Sequence, residues 1–380
     1  MKNRNTLEQA IGIPFTSGNK IEVLKNGDQI FSAMLDSIRS ATTSIDFLTY
    51  VYWTGNIADK FAEALSAKAK EGLTVRVLLD GYGAKSMDRQ LIETMENAGV
   101  DVHWFRPLIR WKMWKVDNRT HRKILICDNE TAFTGGVGIA EEWEGDARNP
   151  NEWRDTHFKI HGPAVWGMKS AFIENWIEAN DRITTDLFSD KIHNIQGNAH
   201  IQAIRTASSV RWSDIVLLYQ TLLNLAQERI YLCTAYFNPN QVLIDELIER
   251  KKAGVDVKII LPGDHIDKRI AKVTAEDSFE PLISEDIEIY RYEKTMMHAK
   301  VLLIDDEISC IGSANFNHRS MLKDDEINLV VSDLELNQTL ANHFNEDLLD
   351  CRQIHPDKWK QRGIGERASE MLTRVIKQQV

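Results

Sequence analysis

The sequence predicts an α/β protein built of two similar halves, each a sheet with helices on both faces. Three observations predict it. Strand-like and helix-like periodicities alternate along the chain. The same segments recur in the same order in both halves. The phrase His-x-Lys-x4-Asp occurs twice, as His121-Arg122-Lys123 with Asp128 and as His298-Ala299-Lys300 with Asp305.

In the first half, residues 21–24 read as a short strand and Asn26-Gly27-Asp28 as a turn. Ile30, Phe31, Met34, Leu35 and Ile38 then mark one helical face. Residues 44–52 form a strand, and the apolar set Ile57, Phe61 and Leu65 a helix that stops at Gly72. A strand at 75–79, a helix at 87–97 ending at Gly99, and a strand at 100–105 follow. The second half repeats this order: helix 214–225, strand 230–235, helix 242–252, strand 255–261. A sheet with helices on both faces suits each half.

The repeat extends beyond the motifs. The run Ser44-Ile45-Asp46-Phe47-Leu48-Thr49-Tyr50 matches Arg229-Ile230-Tyr231-Leu232-Cys233-Thr234-Ala235. Gly72-Leu73-Thr74-Val75 matches Gly254-Val255-Asp256-Val257. Offsets drift from 185 (230 minus 45) to 177 (298 minus 121), as small loop insertions and deletions would leave them. By average residue usage, two His-x-Lys-x4-Asp phrases meet by chance in about one chain in a thousand of this size, so the duplication is real.

Each motif carries its own chemistry. A histidine titrates near neutrality and serves as nucleophile or as general acid and base, while a lysine beside it supplies charge for a phosphate. In an extended segment residues i and i+2 share a face, so His121 and Lys123 point together, as do His298 and Lys300. Asp128 and Asp305 belong to the motifs, but their place at the strand end suits a turn anchor better than a substrate contact. Six residues further on come small-residue turns, Gly135-Gly136-Val137-Gly138 and Gly312-Ser313-Ala314-Asn315, whose backbone N–H groups stay accessible. Ser313 and Asn315 add side-chain donors for a phosphate.

With their Gly-Ser-x-Asn turns, the paired motifs resemble the phospholipase D superfamily. Phe105-Arg106-Pro107-Leu108, Trp153-Arg154-Asp155-Thr156-His157, Gly162-Pro163-Ala164-Val165 and His318-Arg319-Ser320 resemble its bacterial cardiolipin synthase branch. The resemblance spans roughly residues 19–362. It implies two phospholipase D-like α-β-α sandwich domains about a pseudo-twofold axis, with one active site at their junction. It implies phosphatidyl transfer through a phosphohistidine, with no cofactor and no metal, so activity should survive EDTA. The motif residues His121, Lys123, Asp128, His298, Lys300 and Asp305 fall to catalysis, Ser313 and Asn315 to phosphate binding. Asp155 and Glu326 match the carboxylates that orient the histidines. The resemblance makes His121 the nucleophile and His298 the acid and base; the residues alone do not separate the two roles. Gly138 departs from the pattern, standing where the family usually has asparagine.

The domain division expected is an extension at 1–18, a first domain at 19–190, a second at 191–352 and a basic tail at 353–380. A net charge of −10 counts against a nucleic-acid partner and thus against a nuclease on the same scaffold. A phospholipid such as phosphatidylglycerol is the expected substrate, with a hydrolase using water as the alternative and a silent membrane scaffold made improbable by the complete motifs. Neither a leader nor an 18-residue apolar run is evident, so a cytoplasmic enzyme touching the inner face of an anionic membrane is expected. The contact is placed on 106–123, where seven basic residues, Arg110, Lys112 and Lys115 among them, surround Trp111 and Trp114 against one acid, Asp117. The tail from 357 onward, with six basic and three acidic residues, is a second candidate. Cys127, Cys233 and Cys310 read as buried free thiols, consistent with a reducing compartment. His157, His161, His318, Arg319, Met296 and Met297 read as structural.

Overall fold

The computed structural model describes residues 2–107, 117–188, 195–207 and 213–360. Its first half supplies strands β1 (Thr16–Lys25), β2 (Ser44–Thr49), β3 (Thr74–Asp80), β4 (Asp101–Phe105), β5 (Ile124–Cys127), β6 (Thr131–Gly135) and β7 (Thr156–His161). Around them lie helices α1 (Lys2–Ile11), α2 (Asn26–Ser40), α3 (Asn56–Lys70), α4 (Arg89–Asn97) and α5 (Val165–Asn180). The second half supplies β8 (Ala199–Thr206), β9 (Arg229–Cys233), β10 (Phe237–Asn238), β11 (Asp256–Pro262), β12 (Glu288–Tyr292), β13 (Val301–Ile304), β14 (Ile308–Gly312), β15 (Phe316–Asn317), β16 (Glu326–Ser332) and β17 (Cys351–Gln353). Its helices are α6 (Asp214–Leu225), α7 (Gln241–Lys252), α8 (Arg269–Glu276), α9 (Phe279–Ile283), α10 (His318–Leu322), α11 (Leu334–Leu348) and α12 (Pro356–Lys360).

Fifteen strands form one sheet, in the order β17-β12-β11-β9-β13-β14-β16-β8-β1-β7-β6-β5-β2-β3-β4. Read outward from the β8–β1 seam, the two sides run through matching strands: β7 with β16, β6 with β14, β5 with β13, β2 with β9, β3 with β11, β4 with β12. That is the pseudo-twofold. The seam is antiparallel, with Thr16 opposite Ile201 and Asn19 opposite Ala199. Its backbone pairing welds the halves into one body.

Strand alternation sends neighbouring side chains to different cores. Leu125 and Cys127 face the first half's outer helices, packing with Phe31 of α2 and Phe61 of α3. Ile124 and Ile126 face the other side, against Phe172 of α5 and Leu340 and Phe344 of α11. That central core draws on both halves. Leu302 and Ile304 turn instead toward α6, α7 and α9.

The expected elements form, with shifts at their ends. Asn26-Gly27-Asp28 is not a free turn, because α2 begins at Asn26 itself. Asn26 adopts φ 59°, the left-handed conformation asparagine tolerates, and so makes the strand-to-helix corner in one residue. The segment expected as an extension carries α1, whose Leu7 is fully buried in the second half's core. Of the expected tail, Ile354 and Trp359 join that core, while 361–380 lie outside the described residues.

Candidate active site

Both motif histidines lie in the extended segments leading into β5 and β13, at the end of the sheet where β2, β3, β9 and β11 finish. Each is clamped by the opposite half. His121 N–H donates to Asp325 O at 2.9 Å, and Asp325 N–H donates back to Arg119 O at 2.8 Å. On the other side His298 N–H donates to Arg154 O at 2.7 Å, and Arg154 N–H to Met296 O at 2.9 Å. Asp325 precedes Glu326 and Arg154 precedes Asp155, so one clamp sets both the histidine and the carboxylate it meets.

The rings follow from this. His121 Nδ1 lies 3.0 Å from Glu326 Oε1 and 3.2 Å from Oε2. His298 Nδ1 lies 2.8 Å from Asp155 Oδ2. The carboxylates cross over: each half's acid orients the other half's histidine. An ionised carboxylate only accepts, so Nδ1 carries the proton and Nε2 keeps its lone pair. Further contacts fix the acids. Glu326 accepts from Ser313 Oγ. Asp155 accepts from Trp143 Nε1 at 2.9 Å and from its neighbour Thr156 N–H at 2.8 Å. Asn26 Oδ1 takes the Asp155 N–H at 3.2 Å.

Electrostatics favour neutral rings. Burial pushes His121 down to about 3 and His298 down to about 4, outweighing the pull of their carboxylates. Although burial opposes it, the His121 ring and Lys123 hold Glu326 at about 2. Asp155 is likewise held below its ordinary value, by His298 and Lys300 against the effect of burial. Burial also lowers the lysines, Lys123 to about 7 and Lys300 to about 8. Lys123 Nζ donates to His121 O at 2.7 Å and Lys300 Nζ to His298 O at 2.6 Å. The charge of Lys300 bears on His121 and that of Lys123 on His298. The two motifs make one site.

Asp128 and Asp305 are not part of it. They follow the far ends of β5 and β13, roughly 13 Å of strand from the histidine end. Asp128 accepts backbone N–H bonds from Thr42, Thr43 and Ser44 at 2.7–3.1 Å. Asp305 does the same for Gln227, Glu228 and Arg229 at 2.8–3.1 Å. Their inclusion among the catalytic residues is corrected: they tie down the loops that lead into β2 and β9.

A profile of the family described as "Cardiolipin synthase, PLD-like domain" matches residues 34–143 and 219–348. The chain belongs to that family. The enzyme is 33% identical over 379 residues to Cardiolipin synthase 1 of Bacillus anthracis, covering 96% of this chain and 73% of that one. It is 30% identical over 361 residues to the probable cardiolipin synthase YwiE of Bacillus subtilis (strain 168), covering 94% and 72%. Its fold resembles the phosphatidylserine synthase of Haemophilus influenzae Rd KW20, with a TM-score of 0.76, 15% identity and full coverage of both chains. The polyphosphate kinase of Porphyromonas gingivalis aligns with 94% of this chain and 53% of its own, at a TM-score of 0.60 and 14% identity. The enzyme is a phosphatidyltransferase.

Several residues outside the motifs matter to the site. Arg122, buried between the motif residues, donates to Glu326 O at 3.1 Å, Ala171 O at 2.7 Å and Thr206 O at 2.8 Å, binding both halves. Arg154 pairs with Asp347 of α11 at 2.9 and 2.8 Å. Tyr50 stands edge-on to His121, ring centroids 5.1 Å apart. Trp143, Trp153 and Tyr236 surround His298. The sequence carried no signal for Trp143, which follows β6, 15 residues beyond Asp128 and 155 before His298 (143 minus 128, 298 minus 143).

Arg319 pairs with Asp324 at 2.9 Å and reaches Asp117 O of the first half at 2.7 Å, while Ser320 Oγ accepts the Asn315 N–H at 3.1 Å and so braces the second turn. Met296 and Met297 are fully buried. Among the described residues no group of histidines, cysteines or carboxylates is arranged to hold a metal ion.

Proposed function

We propose that the chain joins two phosphatidylglycerol-type lipids through a covalent histidine intermediate, in the manner its family name implies. The crossed carboxylates carry this reading, because they hold the Nδ1–H of each ring and leave its Nε2 to act on the substrate, Lys300 Nζ standing 3.3 Å from that of His298. His121 Nε2, neutral, attacks phosphorus of the donor, while His298, which takes up a proton on Nε2 as the anionic substrate phosphate binds beside it, gives that proton to the departing glycerol oxygen. His298 then takes the proton from a hydroxyl of the second lipid's headgroup, whose oxygen displaces His121 and restores it. Lys123, Lys300 and Asn315 hold the non-bridging oxygens; Ser313, expected among them, gives its one hydroxyl hydrogen to Glu326 instead. The Asn315 amide supports this: its Oδ1 position is buried without a protein partner, and amide oxygen and nitrogen are interchangeable by a flip. Lipid mass spectrometry after expression in a host lacking cardiolipin synthases tests the proposal. A four-chain product that disappears with His121→Ala supports it; free phosphatidic acid alone would replace it with hydrolysis.

A peripheral contact with the cytoplasmic face of an anionic membrane belongs to the same proposal. No helix among the described residues is long and apolar enough to cross a membrane. In the segment 106–123, Arg110, Trp111, Lys112, Trp114 and Lys115 lie outside the described residues. Its described bases turn inward: Arg119, Arg122 and Lys123 are buried, and Arg106 pairs with Glu178. Support comes instead from the loops after β3 and β11, at the histidine end of the sheet. There Tyr82 and Ile270 are each 46% exposed, beside Lys85 and the Lys268-Arg269 pair. The four free cysteines suit a reducing compartment.

A further inference from the structure

Asp155 and Glu326 do the same work but are held differently. Ser313, second in its turn, donates its hydroxyl to Glu326. The matching position in the first turn is Gly136, with nothing to donate. Nor is there room for a serine, since a Cβ on Gly136 would fall 2.3 Å from Asp155 Oδ1 and 2.6 Å from Oδ2. An aspartate is one methylene shorter than a glutamate, and its carboxylate sits in the volume a serine would fill. The missing donor comes from elsewhere. Trp143 Nε1 reaches Asp155 Oδ2, the same oxygen that receives His298 Nδ1. The Trp143 side chain is 2% exposed and meets the His298 ring edge-on, centroids 5.2 Å apart at 81°. Trp153 backs the indole at 4.5 Å.

We propose that Trp143 is a positioning residue for His298, its indole N–H pinning the Asp155 carboxylate and its ring edge limiting rotation of the imidazole. It replaces in the first half what Ser313 supplies in the second. Shorter acid, glycine turn and tryptophan thus form one set, and longer acid with serine the other. The two donors are not equivalent. An indole only donates, whereas the Ser313 hydroxyl also accepts from Ile327 N–H at 3.0 Å. Asp155 therefore depends on Trp143 with no relay behind it.

The inference rests on His298 being one of the reacting pair, but its main test needs no substrate. Trp143→Phe keeps an aromatic ring and removes the N–H. Asp155, Lys300 and Lys123, the charged groups facing His298, are untouched. Imidazole titration by NMR on the full chain should show the His298 value rising by about half a unit to one unit, because a carboxylate with one donor fewer attracts the imidazolium more strongly. His121 should stay where it is. Ser313→Ala should give the mirror image, moving His121 and sparing His298. Turnover of phosphatidylglycerol vesicles by Trp143→Phe should fall about tenfold in kcat with KM kept. In the unmodified protein the Trp143 indole N–H resonance should move as His298 titrates, which covers the case of a poorly folded variant. A folded Trp143→Phe with His298 unmoved, or an indole resonance indifferent to that titration, overturns the proposal. Correct titrations with no phosphatidylglycerol turnover in any form would leave the positioning intact and sink the substrate reading.

Discussion

The first half closes its motif with Gly136-Val137-Gly138 and the second with Ser313-Ala314-Asn315, and the two turns serve one pocket by different means. Backbone features are kept on both sides: the histidine clamp, the crossed carboxylate, the strand order about the seam. Side-chain features have parted in coupled sets. Gly138 illustrates the coupling, since a Cβ there would lie 2.6 Å from Val51 Cβ and 3.3 Å from the Trp143 ring. The asparagine usual at this place has no room, because Val51 and Trp143 fill it. Backbone symmetry constrains where groups sit, while packing decides which residues deliver them.

The largest effects should fall where the halves are interdependent. His121→Ala and His298→Ala should each lower kcat by at least about a thousandfold with the fold retained by circular dichroism, since neither ring can do the other's step. Near-normal turnover in either would separate the halves into independent sites. Next come the crossed acids: Asp155→Asn and Glu326→Gln should each cost about a hundredfold or more in kcat, by freeing the ring and favouring the wrong tautomer. The comparison is sharpened if the loss at 155 disables His298 alone, read by its titration.

Grafting one turn on the other should fail. Gly136→Ser should destabilise the chain by about 1–3 kcal/mol in denaturant melts, the usual cost of overpacking, although serine is native at the matching position. A neutral result would mean that Asp155 moves freely and that the coupled sets are not real. The pH dependence should show the lysines both halves share. Their values are lowered by burial to about 7 and about 8, so both are charged below that window and lose charge as pH rises through it. Because kcat/KM reports the free enzyme, it should decline from pH 7 upward, and on the acid side it should fall as His121, which must be neutral to attack, protonates near 3. The smallest effect should be the most symmetric. Asp128→Ala and Asp305→Ala should each cost about 1–2 kcal/mol of stability through unpaired loop N–H groups, with kcat kept. A selective collapse of activity in one would return that aspartate to the site.

Much of this was legible in the chain. The duplicated phrases, the alternation of periods 2 and 3.6, and glycines at helix ends determined the α/β class, the two halves and four of the side chains proposed for the site, His121, Lys123, His298 and Lys300. These signals are local: a strand's alternation or a two-residue spacing is written in consecutive residues. Asp155 and Glu326 were visible as partners through resemblance, but which acid serves which histidine was not. That pairing depends on clamps between residues far apart in sequence, Thr120 with Asp325 (325 minus 120 is 205) and Arg154 with Met297 (297 minus 154 is 143). The turn-anchor reading of Asp128 and Asp305 was also open to the sequence; which loops they hold, those before β2 and β9, was not. Tertiary structure alone decided the parts of Arg122, Asn26 and Trp143 as well, whose meaning lies in what they touch across the junction. A sequence records periodicity and composition; the distance between a tryptophan and an aspartate twelve residues on exists only once the loop between them is folded.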